Sequence, residues 1–143
     1  VFGHRAAQSI LGEMTTVAEP PSLAQWVPGF SKPSDEAVVV TQSWEEIRRF
    51  MWNYVGIVRT NRRLRRARRR LSVLMSEINE DWWKYHPTRD SIELRNIAQV
   101  AELIIEAATR RQESRGLHYN LDFPVKDETG WHRDTILWRG TRN

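Results

Sequence analysis

Three stretches in which apolar residues recur at helical spacing constrain this chain more than any other feature. Trp44, Ile47, Met51, Tyr54, Val55 and Val58 fall within roughly 100° of arc on a helical wheel. Leu64, Ala67, Leu71, Leu74, Met75, Ile78 and Trp82 share one face of a second segment from Asn61 to Tyr85, and Pro87 stops it. Leu94, Ile97, Ala98, Ala101, Ile104, Ile105 and Ala108 form a third stripe. Three amphipathic helices joined by short connections bury their stripes against one another as antiparallel neighbours. The pattern therefore predicts a mainly α fold, a three-helix bundle. Ser43-Trp44-Glu45-Glu46 and Asp90-Ser91-Ile92-Glu93 have the form of capping boxes, and Gly116 is placed to end the third helix in a left-handed conformation. Ile92, Val100, Leu103 and Ala107 make a thinner apolar stripe on the far side of that helix. A helix apolar on two faces is either central or docks against something absent.

The remaining segments divide the chain. Residues 1–14, with Ala6-Ala7 and Ile10-Leu11, read as the end of a helix closed by Gly12. Residues 15–42 read as a linker, because Pro20, Pro21, Pro28, Pro33 and Gly29 break any regular element. Val38-Val39-Val40 is expected to make a brief extended contact within it. Residues 43–143 hold the bundle, followed by an extended segment and a tail. In that segment Leu117, Tyr119, Leu121 and Phe123 alternate with His118, Asn120 and Asp122, a period of two that Pro124 closes. If the apolar four face the bundle, the polar three face outward.

Composition excludes several classes. No cysteine is present, so disulfides, thiolate metal sites and a cysteine nucleophile are ruled out, and a cytoplasmic setting fits. No apolar run approaches the ~18 residues of a membrane span, and no secretory signal opens the chain. Val1-Phe2-Gly3-His4-Arg5 reads like the interior of an element, so a fragment is expected.

The net charge of +4 is local. Seven arginines fall within residues 62–70, and the other basic residues are outnumbered by the 18 acids. Arginine forks match phosphate oxygens, which raises an arginine-rich nucleic-acid-binding helical module as an alternative. However, Arg62, Arg65, Arg66 and Arg69 fall opposite the apolar stripe, where solvated charge belongs. No Trp or Tyr is interleaved to stack on bases. No specific nucleic-acid partner is expected.

His4, His86, His118 and His132 are too far apart in sequence to suggest a metal site. No Gly-x-Ser-x-Gly elbow, dinucleotide fingerprint or P-loop occurs. Glu113-Ser114-Arg115-Gly116-Leu117-His118 is denser in functional residue types than its surroundings. Arg115 and Gly116 suit a helix C-terminus, but that leaves His118 and the alternating segment unexplained.

Met51-Trp52-Asn53-Tyr54-Val55-Gly56-Ile57-Val58-Arg59-Thr60 resembles the first bundle helix of L-aspartate oxidases, and residues 92–104 resemble their third. The most specific stretch is 111–124. Its Glu-Ser-Arg-Gly-x-His pattern resembles the wider family of succinate dehydrogenase and fumarate reductase flavoproteins, and its Leu-His-Tyr and Asp-aromatic-Pro versions resemble the aspartate oxidase branch. Phe2-Gly3-His4-Arg5-Ala6-Ala7 is similar to the last helix of the family's FAD domain. The resemblance implies the C-terminal helical domain of an FAD-dependent enzyme that oxidises L-aspartate to iminoaspartate for NAD biosynthesis, with oxygen or fumarate as electron acceptor. The implied partners are the flavin and capping domains of the same polypeptide and, for the parent enzyme, quinolinate synthase. A fumarate reductase or succinate dehydrogenase subunit is the alternative parent. The family's flavin fingerprint and catalytic residues have no counterpart here. No catalytic, cofactor-binding or metal residue is therefore assigned, and the fragment alone is expected to be inactive and to bind no FAD. Arg115 and His118 match the family motif and are interdomain or site-edge candidates.

Overall fold

A computed structural model describes residues 1–33 and 37–138, with the side chain of Ala37 left undescribed. Four helices and two short strands follow in the order α1 (Phe2–Glu13), α2 (Ala37–Val55), β1 (Val58–Arg59), α3 (Asn61–Lys84), α4 (Arg89–Arg110) and β2 (Tyr119–Asn120). Helices α2, α3 and α4 pack mutually into the expected three-helix bundle.

The core is built from the predicted stripes. Leu64, Ala67, Leu71, Leu74 and Ile78 of α3 are buried against Leu94, Ala98, Ala101, Ile105 and Ala108 of α4 and against Ile47, Phe50 and Val55 of α2. Phe50 is a core residue that the α2 stripe omitted. Val58, counted in that stripe, lies beyond the helix on β1 and is exposed. Ile104 also points to solvent rather than inward.

The helix ends differ from expectation in three places. Helix α2 starts at Ala37, so Ser43 is an interior helical residue and caps nothing. Val38-Val39-Val40 is helical rather than extended. Val40 packs against the core beside Trp44, and that tertiary contact overrides the strand preference of β-branched residues. At the start of α4 the capping box is Thr88 with Ser91: each hydroxyl accepts from the other's backbone N–H, at 3.2 and 2.8 Å. Helix α4 ends at Arg110, where the chain becomes extended, and Gly116 lies six residues beyond.

Gly116 serves a different turn. Arg115 and His118 exchange backbone hydrogen bonds of 2.9 and 3.1 Å across Gly116-Leu117. Gly116 takes φ +57° at the first central position, the place a two-residue hairpin turn reserves for glycine.

The linker lies along the bundle at one corner. Lys32 pairs with the chain after α3, its N–H donating to Lys84 O and its carbonyl accepting from His86 N. The His86 ring bonds the Ser31 carbonyl at 2.8 Å, and Trp26 meets it edge-on. Helix α1 buries none of its residues.

Two of the seven clustered arginines join helices. Arg68 pairs with Glu106 of α4, and Arg70 pairs with Glu46 of α2 at 3.1 Å. Both pairs are substantially exposed, which limits their worth. Helix α4 is not central: Ile92, Val100 and Leu103 of its second stripe are exposed.

Candidate functional site

The residues of the Glu-Ser-Arg-Gly-x-His stretch converge on one carboxylate. After α4 the backbone is extended, so alternate residues point the same way. Arg111, Glu113 and Arg115 therefore share a side. Glu113 is fully buried. Arg115 grips it with two hydrogen bonds, Nε to Oε1 at 2.8 Å and Nη2 to Oε2 at 3.0 Å. Arg111 pairs with it through Nη1, and the Asp127 amide donates to Oε2 at 2.9 Å. The Arg115 hydrogen bonds, opposed by burial and helped by the Asp127 amide and Arg111, hold its pKa at about 2, against an ordinary 4.5. Charge-assisted pairing of this kind is what allows a carboxylate to stay ionised out of water.

The two arginines tie the tail to this carboxylate. Arg111 also donates to the Trp131 and Arg133 carbonyls and to the Thr135 hydroxyl. Arg115 reaches the Asp127 carbonyl and the Glu128 carboxylate. Asp127 closes the turn that follows by accepting from the Thr129 and Gly130 amides, and those bonds lower its pKa. Ser114 locks the return of the chain: its N–H donates to Val125 O, and its hydroxyl donates to Phe123 O at 2.8 Å.

His118 connects the Glu113 cluster to the bundle. Its Nδ1 lies 2.6 Å from Nη1 of Arg59, and its Nε2 lies 3.3 Å from the Arg111 carbonyl. A guanidinium only donates. Nδ1 must then accept, and Nε2 carries the proton toward the carbonyl. Burial, then the nearby Arg59, lowers the His118 pKa. Arg59 also donates to the Val55 and Gly56 carbonyls, satisfying the C-terminal end of α2. Burial lowers the pKa of Arg59 in turn.

The alternating segment sits the other way round from the expected arrangement. Strand β2 pairs in parallel with β1, Val58 beside Tyr119 and Arg59 beside Asn120. His118 and Asn120 face the bundle, whereas Leu117, Tyr119 and Leu121 are exposed. The inward side is set by polar partners. Asn120 is fully buried; its backbone N–H donates to the Ser114 hydroxyl, its side-chain Nδ2 donates to Asn61 Oδ1, and its side-chain Oδ1 accepts from the Asp122 N–H. Asp122 in turn accepts from the Asn61 N–H at 2.6 Å, and with Thr60 it caps the start of α3. Phe123 alone of the apolar four is partly covered.

Arg115 and His118 are thus brought into one neighbourhood, and each is engaged within the chain. Both also line a shallow cleft with Arg111, Trp131, His132, Arg133 and Asp134, so each keeps a side toward solvent. Sequence reasoning named Glu113 only within its motif and gave no role to it, to Arg111 or to Arg59. The signal for the first two was the arginine two residues either side of a glutamate after a helix. Arg59 carried no local signal, because its partner is 59 residues away.

Of the cleft's guanidinium groups, those of Arg111 and Arg115 are taken by Glu113, Glu128, the Thr135 hydroxyl and backbone carbonyls, and that of Arg133 lies over the Trp131 ring. No group of metal-ligating side chains occurs among the described residues, and no described helix is long and apolar enough to cross a membrane.

Comparison with known proteins agrees with this architecture. The family model for the fumarate reductase flavoprotein C-terminus matches residues 44–143. The L-aspartate oxidase of Pseudomonas aeruginosa is 51% identical over 137 residues, which is 96% of this chain and 25% of the relative. That of Vibrio cholerae is 44% identical over the same shares, and the chloroplastic L-aspartate oxidase of Oryza sativa is 34% identical over 90% of this chain and 22% of its own. The chain thus spans about a quarter of the length of the curated relatives it matches. Among solved structures, Mycobacterium smegmatis Sdh1 in complex with UQ1 superposes with a TM-score of 0.50 at 23% identity, over 86% of this chain and 19% of that one, which supports the fold. With this geometry and these matches together, the chain belongs to the fumarate reductase flavoprotein C-terminal family, and the relatives named above are L-aspartate oxidases.

Proposed function

We propose that this chain is the C-terminal helical domain of an FAD-dependent L-aspartate oxidase, which converts L-aspartate to iminoaspartate in the cytoplasm. The observation that carries the reading is 51% identity sustained over 137 residues to an L-aspartate oxidase four times as long. The flavin and the reacting groups belong to the remainder of the polypeptide. The bundle acts as a scaffold for it, and quinolinate synthase is the partner proposed to take the product.

The unmatched apolar surfaces support docking to same-chain flavin and capping domains. Helix α1 buries nothing, the far stripe of α4 is bare, and the β1–β2 ribbon turns Val58, Tyr119 and Leu121 outward. Arg115 and His118 lie on the edge of that ribbon and are proposed to orient it. The docking contact is apolar, on the side opposite the one the sequence pattern favoured.

Turnover of L-aspartate by the full-length polypeptide tests the docking. Leu121→Glu places a charge on the outward face without touching the Glu113 cluster, and is expected to lower turnover roughly tenfold, as a misfitted domain contact does. The melting of the isolated bundle should not change. Full turnover with Leu121→Glu would show that the ribbon face does not dock.

A further inference from the structure

The solvent side of α3 carries its charge in two blocks. Arg62, Arg66, Arg69, Val73, Glu77 and Glu80 are all exposed. At 3.6 residues per turn they lie within about 40° of a single line down the helix. The arginines occupy the N-terminal half, the glutamates the C-terminal half, and Val73, at 58% exposure, sits between them. None of these five charged side chains forms an ion pair with another described residue, although Arg68 and Arg70, one face round, do. The helix therefore presents a stripe with two electrical poles and an apolar centre.

We propose that this stripe is a self-association surface, and that its occupant is the same stripe of a second copy running antiparallel. A two-fold contact is self-complementary by symmetry. With Val73 facing Val73, Arg69 lies opposite Glu77 and Arg66 opposite Glu80, and both pairs recur on the other side of the axis. The centre buries a valine against its twin. Arg62 falls opposite Lys84 at the ends of the overlap, but the Lys84 ammonium lies over its own Tyr85 ring at 5.0 Å, turned toward its own chain. The contact is thus centred on residues 66–80, about 21 Å of helix.

The block pattern favours a second copy over a phosphate polymer. A nucleic acid tracking the arginines would run onto Glu77 and Glu80 about two to three turns past Arg69, and the stripe has no aromatic residue for bases to stack on. The surface that matches a plus-to-minus stripe is the same stripe reversed. This inference does not rest on the oxidase reading.

Sedimentation velocity of the full chain at low salt tests it. Wild type is expected to self-associate, and to do so about tenfold more weakly when salt rises from about 50 to about 500 mM, since exposed pairs are screened. R66E/R69E makes the charges of the 66–80 contact wholly acidic and E77R/E80R makes them wholly basic. Each alone is expected to lose association at least about tenfold, and an equimolar mixture of the two is expected to regain it as a heterodimer. Val73→Asp, which leaves both charge blocks intact, should also abolish the wild-type dimer, and far-ultraviolet circular dichroism should show all these chains helical. A wild-type chain that stays monomeric at its highest soluble concentration overturns the proposal. So does association that survives both reversals, or a mixture that fails to recover it.

Discussion

Glu113→Gln is expected to lower the thermal midpoint of the chain by roughly 10 °C at neutral pH, since breaking one side of a buried ion cluster strands the other charges. The amide keeps the volume of the side chain and removes its charge. Arg111 and Arg115, with only 15% and 26% of their side chains exposed, would then face each other across a neutral group. The amide keeps one accepting oxygen where the carboxylate uses two to serve Arg111, Arg115 and the Asp127 N–H, so at least one of these donors is left without its partner. Arg115→Ala should cost less, because Arg111 still neutralises Glu113. The pH dependence has a definite sign. A carboxylate held at about 2 when folded and near 4.5 when unfolded binds fewer protons in the native state between those values. Its contribution is therefore complete above pH 4.5 and is lost as pH falls from there through 2. His118, whose pKa is lowered by burial, adds a fall that begins below its ordinary 6.5, because the unfolded imidazole takes up a proton first. Thermal melts from pH 8 to pH 2 check both. The acid fall should be shallower in Glu113→Gln, with the remainder left to Asp127 and Glu128, whose pKa values are also lowered by their hydrogen bonds, and a variant that melts like wild type at every pH would remove Glu113 from its central place.

Leu71→Ala should destabilise the bundle by about 2–5 kcal/mol, the range for emptying a well-packed leucine site. Leu71 is 3% exposed and sits midway along the buried stripe of α3. Arg66→Ala, five residues away on the outer face, should cost under about 0.5 kcal/mol in the monomer. Urea melts of the two variants in high salt, where self-association is screened, should separate them clearly. The reverse order would mean that α3 is rotated about its axis.

These two effects differ in how far the sequence reveals them. The apolar stripes of α3 and α4 were readable because burial on one helical face leaves a 3.6-residue period, and neither Leu71 nor Ile105 needed any knowledge of its partner. Cap positions were less readable. Ser43 opens a capping-box pattern yet lies inside α2, which starts at Ala37, and α4 is capped by Thr88 rather than by Asp90. The ribbon after Gly116 shows a firmer limit. Alternation fixes which residues share a side but not which side is buried. The choice was made by Asn61, Ser114 and Arg59, whose hydrogen bonds to Asn120 and His118 pull the polar set inward. Burial of polar residues in this way leaves Tyr119 and Leu121 bare. The Arg111-Glu113-Arg115 alternation was visible in the sequence, but its meaning depended on α4 ending at Arg110 rather than continuing to Gly116.

The reaction proposed for the parent enzyme is tested most directly by anaerobic mixing of the full-length, flavin-loaded polypeptide with candidate reductants while the flavin absorbance is followed. L-aspartate is expected to bleach the flavin within the time of one turnover and succinate to leave it oxidised. Bleaching by succinate with no response to L-aspartate would contradict the aspartate oxidase reading and place the parent among the succinate-oxidising members of the family.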